Sequence, residues 1–235
     1  DERQDVVLTF VIDVSGSMEM ENRLGMVKEA LRLLVAQLRP SDQVAIVVYG
    51  SRGRVLLEPT PVAESETILG IIDSLQPGGS TYAEEGLELA YALAAEAYDP
   101  EATNRVILCS DGVANVGNTG PESILEEIRD YADQGIYLTT VGFGMGNYND
   151  VLMEQLANNG DGFYAYVDTL DEAERLFVDN LVSSMQVIAR DARVQVAFDP
   201  DVVRSYRLIG YENRDIADED FREDVDAGEI GPGHS

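Results

Sequence analysis

Asp13, Ser15 and Ser17 stand at alternate positions in the run Asp13-Val14-Ser15-Gly16-Ser17, directly after an apolar stretch. Thr81 follows Gly78-Gly79-Ser80, and Asp111 sits between Ser110 and Gly112. Together these residues offer two carboxylates and three hydroxyls, with no nitrogen or sulfur donor aligned with them. Hard oxygen donors suit Mg²⁺, Mn²⁺ or Ca²⁺ and do not suit zinc or copper. In a turning loop, alternate residues can point the same way, and Gly16 lets the backbone bend without a Cβ clash. The competing reading is structural: Asp13, Ser15 and Ser17 satisfy a turn and cap the helix that follows. Thr81 and Asp111, in order on separate loops, favour the metal.

The elements that must position these residues follow an alternating pattern. Residues 5–14 are mostly apolar and β-branched, as in a central strand buried on both faces. Residues 23–38 carry a helical apolar stripe at Leu24, Val27, Leu31, Leu34, Val35 and Leu38. Strands are predicted over 43–49 and 54–57, joined as a hairpin by Gly50–Gly53. Helices are predicted over 65–75 and 82–97, a strand over 105–110 and a helix over 121–134. A strand over 136–141, a helix over 149–158, a strand over 162–167 and a long helix over 170–188 complete the series, with Asp168-Thr169 as the last helix's cap. The alternation implies an α/β fold: a doubly wound, mostly parallel central sheet with helices on both faces. Open sheets of this kind bind ligands beyond the carboxyl ends of their strands, where strand order reverses. Asp13, Thr81 and Asp111 are all placed to converge there. From about residue 191 the pattern changes. Residues 193–198 alternate polar and apolar, 203–209 read as another short strand, and the chain then turns acidic. The expected organisation is one domain over 1–190 and a short C-terminal β-rich fragment or acidic tail over 191–235.

The formal net charge is −28 over 235 residues. Such a surface repels phosphates, so nucleic acid and anionic membrane surfaces are not expected partners. No apolar run is long enough to cross a bilayer. The chain opens on a charged stretch without a leader-like segment, which fits either a cytoplasmic protein or one whose leader has been removed. Cys109, the single cysteine, lies in an apolar run and reads as a small buried hydrophobe. Gly142-Phe143-Gly144 lacks a third glycine at dinucleotide-loop spacing and reads as a tight turn.

Asp13-Val14-Ser15-Gly16-Ser17 resembles the metal-ion-dependent adhesion site of von Willebrand factor type A and integrin inserted domains. Gly78-Gly79-Ser80-Thr81 is similar to the loop that supplies the family's threonine, and Ser110-Asp111-Gly112 to the loop of its second aspartate. The resemblance covers roughly residues 5–190. It implies that Ser15, Ser17 and Thr81 contact a metal, Mg²⁺ first and Mn²⁺ or Ca²⁺ otherwise, through their hydroxyls. Asp13 and Asp111 would bind it directly or through water. One coordination position would stay open for a carboxylate of a protein ligand, and movement of the last helix often accompanies binding in the family. Residues 141–149 and 206–214 are similar to a bacterial subgroup with an additional C-terminal domain of uncharacterised function. That subgroup usually carries a secretion or lipoprotein signal, so the cell envelope or the exterior is the expected location.

The expected function is cation-dependent protein binding, in adhesion or another interaction. The alternative is an intracellular assembly scaffold for an ATPase or chelatase-like complex. A metal-assisted hydrolase is disfavoured: a serine nucleophile needs a base, and the only histidine is His234, in the last few residues. Glu19, Glu21, Glu84 and Glu85 are expected around the metal rim, where they would attract cations and repel an acidic ligand.

Overall fold

The computed structural model describes residues 3–112, 121–144, 150–180, 198–199 and 201–205. Its centre is a sheet of six strands: β1 (Val6–Asp13), β2 (Gln43–Tyr49), β3 (Gly53–Pro61), β4 (Thr103–Ser110), β5 (Ile136–Phe143) and β6 (Tyr164–Val167). The spatial order is β3-β2-β1-β4-β5-β6. All neighbours run parallel except β2 and β3. The chain winds outward from β1 through β2 to β3, then returns to build the other half from β4. Strand order therefore reverses between β1 and β4, which puts the crevice of a doubly wound sheet at their carboxyl ends.

The strands read as continuous apolar runs because both faces are covered. All eight residues of β1, β4 and β5 are buried. On one face, Leu8, Phe10 and Ile12 meet Leu24, Val27, Leu31 and Leu34 of α1 (Arg23–Gln37) and Ile68 and Ile72 of α2 (Ser65–Ser74). On the other, Val11, Val47 and Leu108 meet Leu87 and Ala90 of α3 (Ala83–Glu96), Ile128 of α4 (Pro121–Asp133) and Leu156 of α5 (Asp150–Asn159). Each such aliphatic side chain contributes roughly 1.5–3 kcal/mol on burial. With a period of two along the strand, Asp13 falls on the same face as Val11.

Two elements differ from the sequence expectation. The strand expected over 54–57 runs to Pro61, taking in Pro59 and Pro61. Prolines are tolerated there because β3 is an edge strand, and the ladder to β2 is irregular between Val44 and Val47. The final helix starts as expected, with the cap Thr169 Oγ1 accepting from the Glu172 N–H and Glu172 Oε2 accepting from the N–H of Asp168, the residue before the cap. It is α-helical only over α6 (Leu170–Glu174), then widens into a π turn over Arg175–Asn180. The rest of the helix expected over 170–188 lies outside the described residues, as do residues 193–197 of the strand expected over 193–198 and the acidic end, while Phe198 is described and is not strand. Residues 203–205 are described and are not strand.

Candidate metal centre

The parallel register assembles this centre. Asp13 ends β1, and its partner on β2 is Tyr49. Ile12 pairs with Cys109 on β4, so Ser110 comes level with Asp13 and Asp111 follows just beyond the sheet edge. Beyond Asp13 the chain folds back on its carboxylate: Ser15 N–H donates to Oδ1 at 2.8 Å. From β4, Ser110 Oγ donates to Oδ2 at 3.0 Å. The Ser15 and Ser17 hydroxyls lie 3.0 Å apart, Ser15 just before and Ser17 within a 3₁₀ segment over Gly16–Asn22 that is kinked at Met20 and Glu21. Asp13 is 0% and Asp111 1% exposed.

The loop carrying Thr81 is tied to this turn by its backbone. Gly78 N–H donates to Val14 C=O at 2.7 Å, and Gly16 N–H to Gly79 C=O at 3.1 Å. Gly79 adopts φ +94°, and a Cβ there would stand 2.6 Å from Ser51 Oγ, so no other residue fits as well. Thr81 is half-buried two residues later. Asp13, Ser15, Ser17 and Ser110 thus form one hydrogen-bonded set, with Asp111 beside it. Thr81 reaches the same edge through loop-to-loop bonds, and its hydroxyl has no hydrogen bond among the described residues.

Helix capping does not account for Asp13, Ser15 or Ser17. Helix α1 starts seven residues after Gly16, behind Asn22, and neither Asn22 nor Ser15 makes a side-chain cap bond. Two buried carboxylates facing one edge carry an electrostatic penalty instead. Burial raises the Asp13 pKa, hydrogen bonds from Ser15 and Ser110 pull it back, and the Asp111 charge adds to the rise. Below Asp13, the buried Tyr49 hydroxyl faces Asp13 and Ser110 without hydrogen-bond geometry to either. Burial first, then the Asp13 charge, pushes its pKa far up. Among the described residues no group of three or more Asp, Glu, His or Cys side chains is placed to hold a metal. A cation here would rely on two carboxylates supplemented by hydroxyls, an all-oxygen set of the kind that suits Mg²⁺, Mn²⁺ or Ca²⁺.

Three residues enter that the spacing argument did not single out as site residues. Ser110 belongs by register and Tyr49 by strand pairing. Arg23, the first residue of α1, donates from Nη1 to Asp111 Oδ2 at 2.9 Å. The acidic rim is also thinner than expected. Glu85 turns away and accepts from Gly53 N–H at 2.7 Å, closing the β2–β3 hairpin. Glu21 accepts from Arg23 Nη2 at 3.3 Å, while Glu19 is exposed and Glu84 half-buried.

The family model for the von Willebrand factor type A domain matches residues 8–180. The model for the C-terminal region of the uncharacterized protein YfbK matches residues 183–235. YfbK of Escherichia coli K12 is 40% identical over 227 residues, covering 96% of this chain and 40% of that protein. The chain thus spans well under half the length of this curated relative. Among solved structures, a von Willebrand factor type A protein from Catenulispora acidiphila superposes with TM-score 0.67 at 19% identity, covering 80% of this chain and 44% of that one. The pilus adhesin SpaC of Lactobacillus rhamnosus GG in its open conformation gives 0.62 at 18% identity, covering 79% and 30%.

Proposed function

The chain belongs to the von Willebrand factor type A family, a family of protein-interaction modules, and on that premise we propose that it binds its protein ligand through a divalent cation at Asp13, Ser15, Ser17, Thr81 and Asp111. The observation that carries this reading is the convergence of two buried carboxylates, Asp13 and Asp111, from separate strands at the switch point, beside paired Ser15 and Ser17 hydroxyls. Arg23 balances only Asp111, so the two buried carboxylates keep a net negative charge that is costly there without further positive charge. The ion, Mg²⁺ or Mn²⁺, supplies that charge and a Lewis-acidic position for a ligand oxygen. Asp13 is oriented for it by the Ser15 N–H and Ser110 hydroxyl, and the backbone bonds from Gly16 and Val14 hold the Thr81 loop in reach.

The role we propose is binding without catalysis: among the described residues no histidine stands at Ser15 or Ser17, and the Asp13 carboxylate beside Ser15 is committed to the cation in this reading. We place the protein at the cell envelope or outside it. What supports that location is the resemblance of residues 141–149 and 206–214 to a bacterial subgroup that usually carries a secretion or lipoprotein signal.

The test is calorimetric titration with Mg²⁺ and Mn²⁺ after chelator treatment, in moderate salt, beside Asp111→Ala. A saturable site in the wild type that vanishes in the variant is expected, because a surface this acidic collects cations nonspecifically in both proteins. Equal weak binding in the two would refute the reading.

A further inference from the structure

Arg23 is held at the candidate metal centre by several independent features. Its side chain is 12% exposed and its ion pair is with Asp111, whose side chain is 0% exposed. Its Nε is buried and has no hydrogen-bond partner among the described residues, so the guanidinium is positioned by Asp111 at the expense of its own satisfaction. The stem passes over Gly144, at φ +106° just after β5. A Cβ at that position would stand 2.3 Å from Arg23 Nε and 2.9 Å from Cδ. The backbone that delivers Arg23 is strained. Glu21 and Asn22 both adopt left-handed conformations, with φ 51° and 57°; asparagine tolerates this region, while for Glu21 it is costly and persists where the surroundings enforce it.

From this we propose that Arg23 is an internal counter-ion that competes with the divalent cation for Asp111 and so sets the metal affinity of the site. The inference rests on the metal reading above. Asp13 and Asp111 bring two negative charges to the sheet edge, and Arg23 neutralises one of them in the metal-free protein. A 2+ ion on the same Asp111 carboxylate brings a like charge against the guanidinium at short range in a buried setting, where screening is weak. The guanidinium then gives up Asp111 and turns toward Glu21. That carboxylate is 56% exposed and already 3.3 Å from Nη2. The left-handed pair Glu21-Asn22 is the segment that absorbs the movement, so cation binding is coupled to the entry of α1.

The test compares wild type with Arg23→Met, which keeps the stem and removes the charge, and Arg23→Lys, which keeps the charge. Mn²⁺ is titrated calorimetrically after chelator treatment, and thermal unfolding is followed with and without Mn²⁺. Arg23→Met is expected to melt lower than wild type in chelator and to bind Mn²⁺ about tenfold more tightly, a coupling of ordinary size. Arg23→Lys should stay near wild type. Unchanged or weaker binding in Arg23→Met overturns the proposal and makes Arg23 a brace for Asp111. A measurement on the wild type alone guards against a variant that fails to fold. Arginine-specific dicarbonyl labelling read by mass spectrometry should find Arg23 protected in chelator and several-fold more reactive with Mn²⁺. Equal protection in both states overturns the proposal. A wild type that binds while Arg23→Met binds no better defeats this inference alone. A site that appears only in Arg23→Met supports the competition and defeats the resting metal site, and absence of binding in both defeats the two together.

Discussion

Replacing Asp13 by asparagine separates what this residue does for stability from what it does for cation binding. The Asp13 side chain is fully buried and accepts from Ser15 N–H at 2.8 Å and Ser110 Oγ at 3.0 Å. Asparagine has nearly the same shape and keeps the Ser15 bond, while the rotatable Ser110 hydroxyl can accept from its amide. Turning two charge-assisted bonds into neutral ones costs about 2 kcal/mol in total. Burying the charge costs several kcal/mol in its own right, and the raised Asp13 pKa gives the balance its sign: burial and the Asp111 charge outweigh the hydrogen bonds. In chelator at pH 7 the variant should therefore be more stable than wild type, by about 1 kcal/mol or more. The pH dependence follows from the same sign. A carboxyl whose folded pKa is raised contributes stability below its unfolded pKa of about 3.9 and loses it as pH rises through the folded value. The advantage of Asp13→Asn should accordingly vanish near pH 4 and open as pH increases. With metal the order reverses. Cation at a hundred times its Kd adds about 2.7 kcal/mol to wild type, or roughly 5–11 °C in Tm for a domain of this size, and adds nothing to the variant. Urea unfolding and thermal scans in chelator and in Mn²⁺, from pH 4 to 7.5, read all of this. A variant less stable than wild type in chelator at pH 7 would refute the argument from burial and repulsion, whatever its metal affinity.

Gly144→Ala should force Arg23 from its seat, since the added Cβ meets Nε at 2.3 Å at a φ of +106°. We expect a loss of about 1–3 kcal/mol in urea unfolding. Glu85→Ala should cost about 1 kcal/mol or more by leaving the half-buried Gly53 N–H without its acceptor, with cation affinity little changed because Glu85 faces the hairpin. Cys109 is fully buried and its thiol pKa is pushed up by burial. A thiol reagent should therefore leave it unmodified in the native protein and modify it fully in denaturant.

Local pattern determined much of this protein. Apolar runs without alternation marked β1, β4 and β5 as strands covered on both faces, and the i, i+3, i+4 stripe from Leu24 to Leu38 marked α1, because these periods are properties of the backbone itself. Capping of the last helix at Thr169 was also legible, since a hydroxyl three residues before an acidic side chain acts within one turn of chain. The placement of Asp13, Thr81 and Asp111 at one sheet edge followed from the winding rule. Other features depended on groups distant in sequence. Ser110 donates to Asp13 because parallel register brings residues 97 positions apart level with one another. Arg23 and Asp111 pair across 88 positions, and no local signal distinguishes that arginine from a solvated one at a helix start. Glu85 points at Gly53 because the hairpin turn packs over α3 and leaves an N–H within its reach, while sequence position alone put it on the metal rim. Backbone periodicity is written in short windows. The choice a long charged side chain makes among its partners is set by desolvation and distance, and those exist only once the sheet is assembled.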